Sequence, residues 1–471
     1  MIEEILSKRS GLGDKTAVIY GHKMYSYGQL ENIAQNMAAQ LARRGISQGS
    51  TIIASVDDPL NFVALFFAST KLGSVLFPVN PDIEKMLFAE IVSTIRPELV
   101  VDDFHSRGNK FLDIFTEQTA RESTNLDCKV EYNTERKILL LLTGGTTGRP
   151  KAAVLSERSI IWNAFNTILS WGVTSNDRSL VSLPLYHTGG WNVLLIPTLM
   201  SGGTVIFSSP RFDAGEILKI IADKQITIYM GVPTMLEKIT QSVEFGTADF
   251  SGKTIISGGG LFREGTAKKF IAKGARVFQG YGLTEAGPNN FYISPEAFMK
   301  KPGSVGRPCI FVETKIAGDG ELLIRGPHTF SGYAFGADED PFDDEGFLKT
   351  GDIFRKDDEG YYYFVGRKKG VIKTGGENVF SAEVESVILS LEYVKDCCVI
   401  GIPDELWGEA VVAFVSLRVN VDEHVVREHI KPKLAPFKIP KRFIFVEEIP
   451  RTSVGKPDRE RLVNLYEQGI Y

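Results

Sequence analysis

Apolar positions along this chain recur with two different periods. Short apolar runs bounded by glycine or proline alternate with segments in which apolar residues return every three to four positions, which predicts alternating strands and helices. The first predicted elements are a strand hairpin at 16–27 and a helix that Ser26 can cap and that ends near Arg44. Strand–helix units then follow one another from 51 to 279, among them a helix from about Pro59 to Leu72 that Gly73 ends, and the strands at 51–56 and 75–78 are largely apolar. Such strands are typical of a sheet covered on both faces, so the pattern predicts an α/β fold.

The pattern changes in the last third of the chain. From Gly303 onwards it is rich in strands and punctuated by glycine, which predicts a β-rich subdomain appended to the α/β body. A polar stretch at 366–370 indicates a linker, and beyond it helices at 381–391 and near 422–434, together with three further strands, predict a compact α+β domain. We therefore predict a large amino-terminal domain at 1–366, a hinge linker at 367–370 and a small carboxyl-terminal domain at 371–471.

Composition narrows the function classes. The 471 residues are 43% apolar and carry a net charge of −5 without a long basic run, so neither nucleic acid nor an anionic membrane is an expected partner. The amino terminus lacks a signal-peptide core, and no apolar run approaches the ~18 residues that span a bilayer. The four cysteines form no CxxC pair, which favours reduced thiols. We expect a soluble, cytoplasmic protein that acts on small molecules.

One stretch carries the groups that bind a polyphosphate. The apolar run 138–142 leads into Thr143-Gly144-Gly145-Thr146-Thr147-Gly148-Arg149-Pro150-Lys151, which joins backbone N–H groups, hydroxyls and one cation. It differs from the usual P-loop because Arg149 and Pro150 separate the last glycine from the lysine. Pro150 disfavours a helical Arg149, so we expect the chain to turn back here. A flexible surface loop is the alternative hypothesis.

Three later strands end in small residues. Their exits are Gly231-Val232-Pro233, Gly258-Gly259-Gly260 and the run 280–285, which contains Tyr281, Gly282, Thr284 and Glu285. In parallel sheets ligands sit beyond the carboxyl ends of the strands, and small residues there let a ligand approach the backbone. The sequence therefore predicts a ligand site at this edge.

Seven motifs occur in an order and spacing that resembles the acyl-adenylate-forming enzymes, which include acyl-CoA synthetases, luciferases and peptide-synthetase adenylation domains. The resemblance covers essentially the whole chain, and its motifs lie at 143–151, 184–187, 281–285, 349–352, 366–369, 375–378 and 449–456. It implies that a carboxylate attacks the α-phosphate of ATP, giving an acyl-adenylate and pyrophosphate. The thiol of coenzyme A then displaces AMP. The implied cofactor is Mg²⁺, and the implied small carboxyl-terminal domain is mobile.

The resemblance also assigns roles to individual residues. It implies that the nucleotide is bound by Thr143, Thr146, Thr147, Lys151, Gly258, Gly259, Gly260, Tyr281, Gly282, Asp352 and Arg367. Glu285 would bind Mg²⁺, Thr284 the α-phosphate, and Lys456 would reach the α-phosphate and the carboxylate from the small domain. The remaining roles fall to His187 as a gate of the acyl pocket, Trp191, Tyr229 and Gly231 as its walls, Lys369 as the hinge, and Gly375, Gly376 and Glu377 as the coenzyme A tunnel.

Each of these residues has a simpler structural alternative. Thr284 and Glu285 could cap a following helix, and Asp352 could be a turn residue after a glycine. Exposed Arg367 and Lys456 could be solvated, and His187 could be a core histidine. Two departures from the family pattern concern Gly370 at the hinge, where many members carry an acidic residue or serine, and the missing hydroxyl at 144.

The predicted acid is a monocarboxylate. The stretches 186–193, 228–234 and 258–262, which we expect to line the acyl pocket, contain no Lys or Arg that could pair with a second carboxylate. No aspartate lies between 184 and 204 to pair with the amino group of an amino acid. A medium- or long-chain fatty acid is therefore favoured, with an aryl acid or o-succinylbenzoate as alternatives. A luciferase-like or carrier-protein ligase and a catalytically silent nucleotide-binding regulatory protein also stay open, as does a homodimer.

Overall fold

The computed structural model describes residues 2–11, 14–102, 133–143, 150–260, 262–337, 339–451 and 457–471. The chain divides into two compact units. The first unit comprises Met1–Thr314 with Ile324–Leu348, and the second comprises Lys315–Leu323 with Lys349–Tyr471.

Helices and strands alternate through the first part of the chain, as the apolar pattern predicts. In chain order they are α1 (Ile5–Ser10), β1 (Thr16–Tyr20), β2 (Lys23–Ser26), α2 (Tyr27–Arg43), β3 (Thr51–Ser55), α3 (Pro59–Leu72), β4 (Val75–Pro78), α4 (Lys85–Ile95), β5 (Leu99–Asp102), β6 (Lys137–Thr143), β7 (Lys151–Ser156), α5 (Glu157–Trp171), β8 (Arg178–Val181), a π-helical segment (Gly189–Leu195), α6 (Ile196–Ser201), β9 (Thr204–Phe207), α7 (Ala214–Asp223), β10 (Ile228–Gly231), α8 (Pro233–Gln241), β11 (Thr254–Ser257), α9 (Glu264–Ala272), β12 (Arg276–Tyr281), β13 (Phe291–Ile293), α10 (Pro295–Phe298) and β14 (Ser304–Pro308).

Strands dominate the part that follows. Its elements are β15 (Glu313–Ile316), β16 (Glu321–Arg325), β17 (Tyr333–Phe335), β18 (Leu348–Lys356), β19 (Tyr362–Arg367), β20 (Val371–Thr374), β21 (Glu377–Phe380), α11 (Ser381–Leu389), β22 (Val394–Asp404), β23 (Gly408–Leu417), α12 (Glu423–Ile430), β24 (Arg442–Phe445) and α13 (Arg459–Glu467). Short 3-10 turns lie at Ile2–Glu4, Val243–Gly246, Thr284–Ala286 and Pro436–Lys438.

Two sheets organise the first unit. In one sheet the strands follow the order β14-β13-β12-β11-β10-β8-β9-β1-β2, and the run from β12 through β11, β10, β8 and β9 to β1 is parallel. The other sheet has the order β17-β7-β6-β4-β3-β5. Helix α3 is buried almost all round, as its continuous apolar sequence requires. The predicted α/β class is confirmed for this unit.

The second unit contains a sheet that packs against helices and has its own apolar core. Its strands follow the order β21-β20-β23-β22, and β24 pairs with β23. Helices α11 and α12 supply Val384, Ile388 and Val426 to an apolar cluster with buried residues of β22 and β23. Cys397 and Cys398 are buried in β22, where burial raises the pKa of the Cys398 thiol to about 12. These two described thiols are packed and protonated, as predicted.

Local signals predicted the first elements correctly. Strands β1 and β2 form the expected hairpin, and Ser26 closes a capping box with Gln29. The Ser26 hydroxyl accepts from the Gln29 N–H at 3.2 Å, and the Gln29 side chain accepts from the Ser26 N–H at 2.8 Å. Helix α3 has the predicted bounds and ends at left-handed Gly73.

Two regions differ from the expectation. Gly366 and Arg367 are not linker but the end of β19, because they pair with Ile353 and Asp352 on β18. The π-helical segment Gly189–Leu195 was not predicted from the sequence. It contains Trp191, whose side chain is fully buried. Among the helices of the described ranges, none combines the length and apolar content that crossing a bilayer requires.

Candidate active site

Strands β6 and β7 form the base of the predicted phosphate loop. They pair antiparallel, with Thr143 opposite Lys151, so the chain turns back between them as expected from Pro150. Both side chains are half-buried. Thr146 and Thr147 lie outside the described residues, and their predicted phosphate contacts stay predictions. The register therefore fixes the two ends of the loop directly across from each other.

Tyr333 links Lys151 to Glu285. The phenol O–H donates to Glu285 Oε1 at 2.9 Å, and the Lys151 ammonium lies over the same ring, 5.0 Å from its centroid. A cation within about 6 Å of a ring face is attracted by the ring electrons. Burial, together with the Glu285 charge, raises the pKa of Tyr333, so the phenol stays protonated and acts as the donor. A predicted phosphate-binding residue and the predicted Mg²⁺ ligand, 134 positions apart, thus meet at one aromatic ring.

Main-chain contacts hold Tyr333 in this place. Strand β17 pairs antiparallel with β7, with Tyr333 opposite Ala153. The Phe330 N–H donates to the backbone carbonyl of Glu285 at 2.8 Å, so Glu285 is attached to this segment through both its main chain and its side chain. Gly336 has φ +82° and approaches Pro150 so closely that a Cβ would lie 2.7 Å from the Pro150 carbonyl oxygen. Sequence reasoning did not single out Tyr333.

The glycine-rich strand exits share one edge, as predicted. Parallel strands β10, β11 and β12 are in register, with Gly231 opposite Ser257 and Ser257 opposite Gln279. Their exits therefore emerge side by side, and the strand β8 exit precedes the 184–187 motif next to β10. Gly258 is buried, whereas Gly259 and Gly260 are exposed. The positions assigned to adenine and acyl recognition thus lie along the same rim.

The turn after β12 has a shape that requires glycine. At Gly282 a Cβ would stand 2.1 Å from the Pro288 carbonyl oxygen, which is a backbone clash. Tyr281 packs edge-on against Phe291, with ring centroids 5.7 Å apart. Thr284 and Glu285 lie in a three-residue 3-10 turn that has no side-chain cap, so the helix-capping alternative is wrong for both. Both residues are half-buried, which leaves their polar groups within reach of a ligand.

The second unit contains the other predicted nucleotide residues. Asp352 is buried on β18, and its Oδ1 lies 2.7 Å from Nε of Arg367, which is half-exposed on the paired strand β19. The register places the two residues directly opposite each other. A paired carboxylate and guanidinium on neighbouring strands offer an acceptor and several donors to a polar ligand. The structure therefore brings these two residues together.

The residues assigned to acid recognition have different surroundings. His187 is half-buried beside the Tyr186 ring, with centroids 4.8 Å apart. Trp191 has no exposed surface and packs against Phe62 and Phe66. A small pocket lies at the carboxyl end of β8, lined by Leu180, Val181, Ser182, Leu183, Gly189, Val193, Leu194 and Met230. The Tyr229 hydroxyl reaches this region, 3.2 Å from Ser182 Oγ.

The remaining predicted residues lie in turns of the second unit. Lys369 and Gly370 lie in the turn between β19 and β20. Gly375 and Gly376 form the turn between β20 and β21, and Glu377 is the first residue of β21. All are exposed. Gly375 lies against Trp407, since a Cβ would stand 2.8 Å from the indole ring. Lys456 lies outside the described residues, so its catalytic role stays a prediction.

Comparison with known proteins tests the family resemblance. The AMP-binding enzyme family matches residues 8–334, and the AMP-binding enzyme C-terminal domain matches residues 383–456. This chain belongs to the AMP-binding enzyme family. The predicted membership of the acyl-adenylate-forming enzymes is therefore confirmed.

Curated relatives of this family member act on different acids. A feruloyl-CoA synthase of an Amycolatopsis species is 30% identical over 94% of both chains. An indoleacetate–CoA ligase of Aromatoleum aromaticum is 30% identical over 97% of this chain and 96% of its own. A long-chain-fatty-acid–CoA ligase of Mycobacterium tuberculosis is 31% identical over 92% and 91%.

Solved structures share the fold over its whole length. ATP-bound MatB from Rhodopseudomonas palustris has a TM-score of 0.88 at 28% identity and covers 100% of both chains. O-succinylbenzoate coenzyme A synthetase from Bacillus subtilis, in complex with ATP and a magnesium ion, has a TM-score of 0.85 at 28% identity over 98% of this chain and 99% of its own. The predicted fold class is thus confirmed for the whole chain.

Proposed function

We propose that this enzyme is an AMP-forming acid–CoA ligase. In the first half-reaction a carboxylate oxygen of the acid bonds to the α-phosphorus of ATP, and the bond to pyrophosphate breaks. In the second, the sulfur of coenzyme A bonds to the acyl carbon, and AMP leaves with the electron pair of the broken C–O bond. The thiol proton is released. Its relatives among the feruloyl, indoleacetate and fatty-acid ligases support this reaction type.

The observation that carries the proposal is the joining of Lys151 and Glu285 at the Tyr333 ring. Lys151 and Glu285 are 134 positions apart in the sequence, and the fold brings both to one ring. Both suit a common ligand, because a nucleoside triphosphate with its metal ion presents both negative phosphates and a cation. Preorganised charges around the reacting phosphate are the main source of catalysis in phosphoryl and nucleotidyl transfer.

The described donor set fits Mg²⁺ bound together with the nucleotide. Mg²⁺ is usually held by one or two carboxylates plus substrate phosphates, and Glu285 offers one half-buried carboxylate whose Oε1 is oriented by Tyr333. The described residues contain no cluster of three or more His, Cys, Asp or Glu side chains that could hold a metal by themselves. When bound, Mg²⁺ would neutralise charge on the phosphates. The Bacillus subtilis relative in complex with ATP and magnesium supports this assignment.

The other predicted residues of the chain would bind the phosphates, the ribose and the attacking carboxylate. Lys151 would hold the terminal phosphates, and Thr284 would donate to the α-phosphate. Asp352 would accept from the ribose hydroxyls, with Arg367 as a neighbouring donor. Lys456 would bring its ammonium to the α-phosphate and the attacking carboxylate. The hinge at Lys369 and the tunnel at 375–377 would serve the second half-reaction.

We propose an apolar monocarboxylate, in the first place a fatty acid, as the substrate. Among the described residues that line this pocket, every side chain is apolar except Ser182, and none carries a cation that could pair with a second carboxylate. The Mycobacterium tuberculosis relative acts on long-chain fatty acids.

An aryl acid is the second candidate, because the apolar lining of the pocket suits a ring as well as an alkyl chain. Two of the relatives, the feruloyl and indoleacetate ligases, take aryl acids.

A product analysis tests the proposal. ATP and Mg²⁺ are supplied with acetate, octanoate, palmitate, ferulate, indoleacetate and o-succinylbenzoate, and pyrophosphate and AMP release are followed with and without coenzyme A. We expect acid-dependent pyrophosphate release, and AMP release that needs coenzyme A. Formation of ADP would overturn the ligase assignment. Nucleotide binding without any pyrophosphate release would support the regulatory alternative instead.

A further inference from the structure

Glu321 is a buried carboxylate with two separate partners, and the first is Gly351, which precedes Asp352 on β18. Glu321 Oε1 accepts from the Gly351 N–H at 2.9 Å. The neighbouring residue Thr350 donates its hydroxyl to the Leu322 carbonyl at 2.6 Å and accepts from the Asp352 N–H at 3.1 Å. The segment that carries the buried Asp352 is therefore fixed to the first residues of β16 by side-chain and main-chain bonds.

The second partner of Glu321 is Lys368, which precedes the predicted hinge residue. Glu321 Oε2 lies 2.6 Å from the Lys368 ammonium, and Asp319 Oδ2 lies at the same distance on its other side. The two carboxylates raise the pKa of Lys368, and Lys368 lowers that of Asp319. The Lys368 N–H also donates to the Gly351 carbonyl at 2.8 Å. Gly351 is thus held at its N–H by Glu321 and at its carbonyl by Lys368.

The turn at 368–370, which follows β19, is not restrained by close packing around Gly370. Gly370 has φ +91°, and a Cβ added there would meet nothing within 4 Å. Residues 368–370 are exposed, whereas Glu321 is only 6% exposed. In the described part of the chain, the bonds that link Glu321, Gly351 and Lys368 include neither Lys369 nor Gly370.

We propose that Glu321 is a positioning residue that holds the Asp352 segment and the amino-terminal side of the hinge together, so that rotation of the small domain begins at Lys369. This inference rests on the proposed function, which assigns ribose binding to Asp352 and the hinge to Lys369. A carboxylate suits the task because its two oxygens bind two partners at once, whereas an amide can satisfy only the Gly351 N–H. Glu321 touches neither substrate nor reacting atoms in this scheme.

Trypsin provides a test that does not depend on activity. Arg367, Lys368 and Lys369 are consecutive cleavage sites, and their rate of cleavage reports local opening of the hinge. We expect Glu321→Gln and Asp319→Asn to raise cleavage within 367–369 by about two- to fivefold, in line with the strength of a half-exposed ion pair. Glu383→Gln is the matched control, because it breaks an ion pair of the same unit with Lys438 at 2.7 Å and should leave this rate unchanged. An unchanged rate in Glu321→Gln would overturn the proposal.

Kinetics then separate the two partners of Glu321. Glu321→Gln keeps an acceptor for the Gly351 N–H, so the KM for ATP in pyrophosphate release should rise less than about threefold, whereas Glu321→Ala should raise it about tenfold or more. Both should change the ratio of adenylation to thioester formation from supplied acyl-adenylate. In a Lys368→Met background the effect of Glu321→Gln on that ratio should disappear. Additive effects of the two substitutions would contradict the link through Lys368.

Failure of the inference is distinguishable from failure of the proposed function. If the unmodified enzyme releases no pyrophosphate with any acid, the ligase assignment fails. Trypsin cleavage and the calorimetric Kd of ATP still decide the role of Glu321. Thermal unfolding of Glu321→Gln provides the folding control. The inference alone would be overturned if folded Glu321→Gln were cleaved at an unchanged rate and Glu321→Ala bound ATP with an unchanged Kd.

Discussion

Tyr333 offers the sharpest test of the candidate active site. Tyr333→Phe removes the O–H that donates to Glu285 Oε1 at 2.9 Å but keeps the ring beneath Lys151. Tyr333→Leu removes both interactions. Because Glu285 is also held through its backbone carbonyl, the first substitution should free the carboxylate without displacing the turn.

The expected loss follows from the strength of the bond removed. A hydrogen bond to a charged group contributes about 1.5–3 kcal/mol, and each 1.4 kcal/mol corresponds to a factor of about ten in rate. Glu285 is half-buried, so the lower end of that range applies. We expect Tyr333→Phe to lower kcat/KM for pyrophosphate release by about tenfold and to raise the Mg²⁺ concentration that gives half-maximal rate. Tyr333→Leu should lower kcat/KM by roughly tenfold more, since Lys151 also loses its cation–π contact.

The assay is pyrophosphate release at varied MgATP with a saturating acid. Tyr363→Phe is the matched control, because it removes another tyrosine–carboxylate bond, to Asp357 at 3.2 Å, in a turn without a predicted role. This control should stay within twofold of the unmodified enzyme. The reasoning fails if Tyr333→Phe behaves like the control, or if the Phe and Leu variants are equally impaired.

Three further predictions concern other parts of the chain. Gly282→Ala should abolish most pyrophosphate release, because the new methyl group would stand 2.1 Å from the Pro288 carbonyl, whereas Gly265→Ala on α9, where an added Cβ meets nothing within 4 Å, should retain activity. Burial lowers the pKa of His328 to about 3, so the unfolded chain binds the extra proton between pH 6.5 and 3, and the free energy of unfolding should fall by up to about 5 kcal/mol across that window. Urea unfolding at several pH values should reveal this contribution, and His328→Gln should make the fall in the free energy of unfolding towards pH 3 smaller. Lys456→Ala should impair pyrophosphate release far more than thioester formation from supplied acyl-adenylate, and an equal loss in both would refute its role.

Local sequence signals predicted the elements of the first unit well. The capping box at Ser26, the left-handed glycine after α3 and the turn imposed by Pro150 each depend on a few neighbouring residues. The glycine-rich exits were also predictable, because parallel strands must end at a common edge. These features were predictable because they depend on nearby residues or on the general geometry of parallel sheets.

Other features depend on contacts between distant residues. Strand β19 extends through Arg367 because β18 supplies hydrogen-bond partners, although the segment itself is polar and suggests a linker. Trp191 was expected at the acyl pocket, yet it has no exposed surface and packs against Phe62 and Phe66. The aromatic character of a residue indicates that it is buried, but only the fold decides against which partner.

Neither Tyr333 nor Glu321 could be found by a search for sequence motifs, and the reason is the same for both. Each contacts a predicted site residue or its neighbour through its side chain, Tyr333 at Glu285 and Glu321 at Gly351 next to Asp352. Such a role needs one donor or acceptor at the correct distance and places no demand on neighbouring residues. Chemistry at a phosphate, in contrast, needs several groups from one loop, which leaves a recognisable pattern. Positioning residues in this family should therefore be sought from hydrogen bonds to the motifs rather than from further motifs.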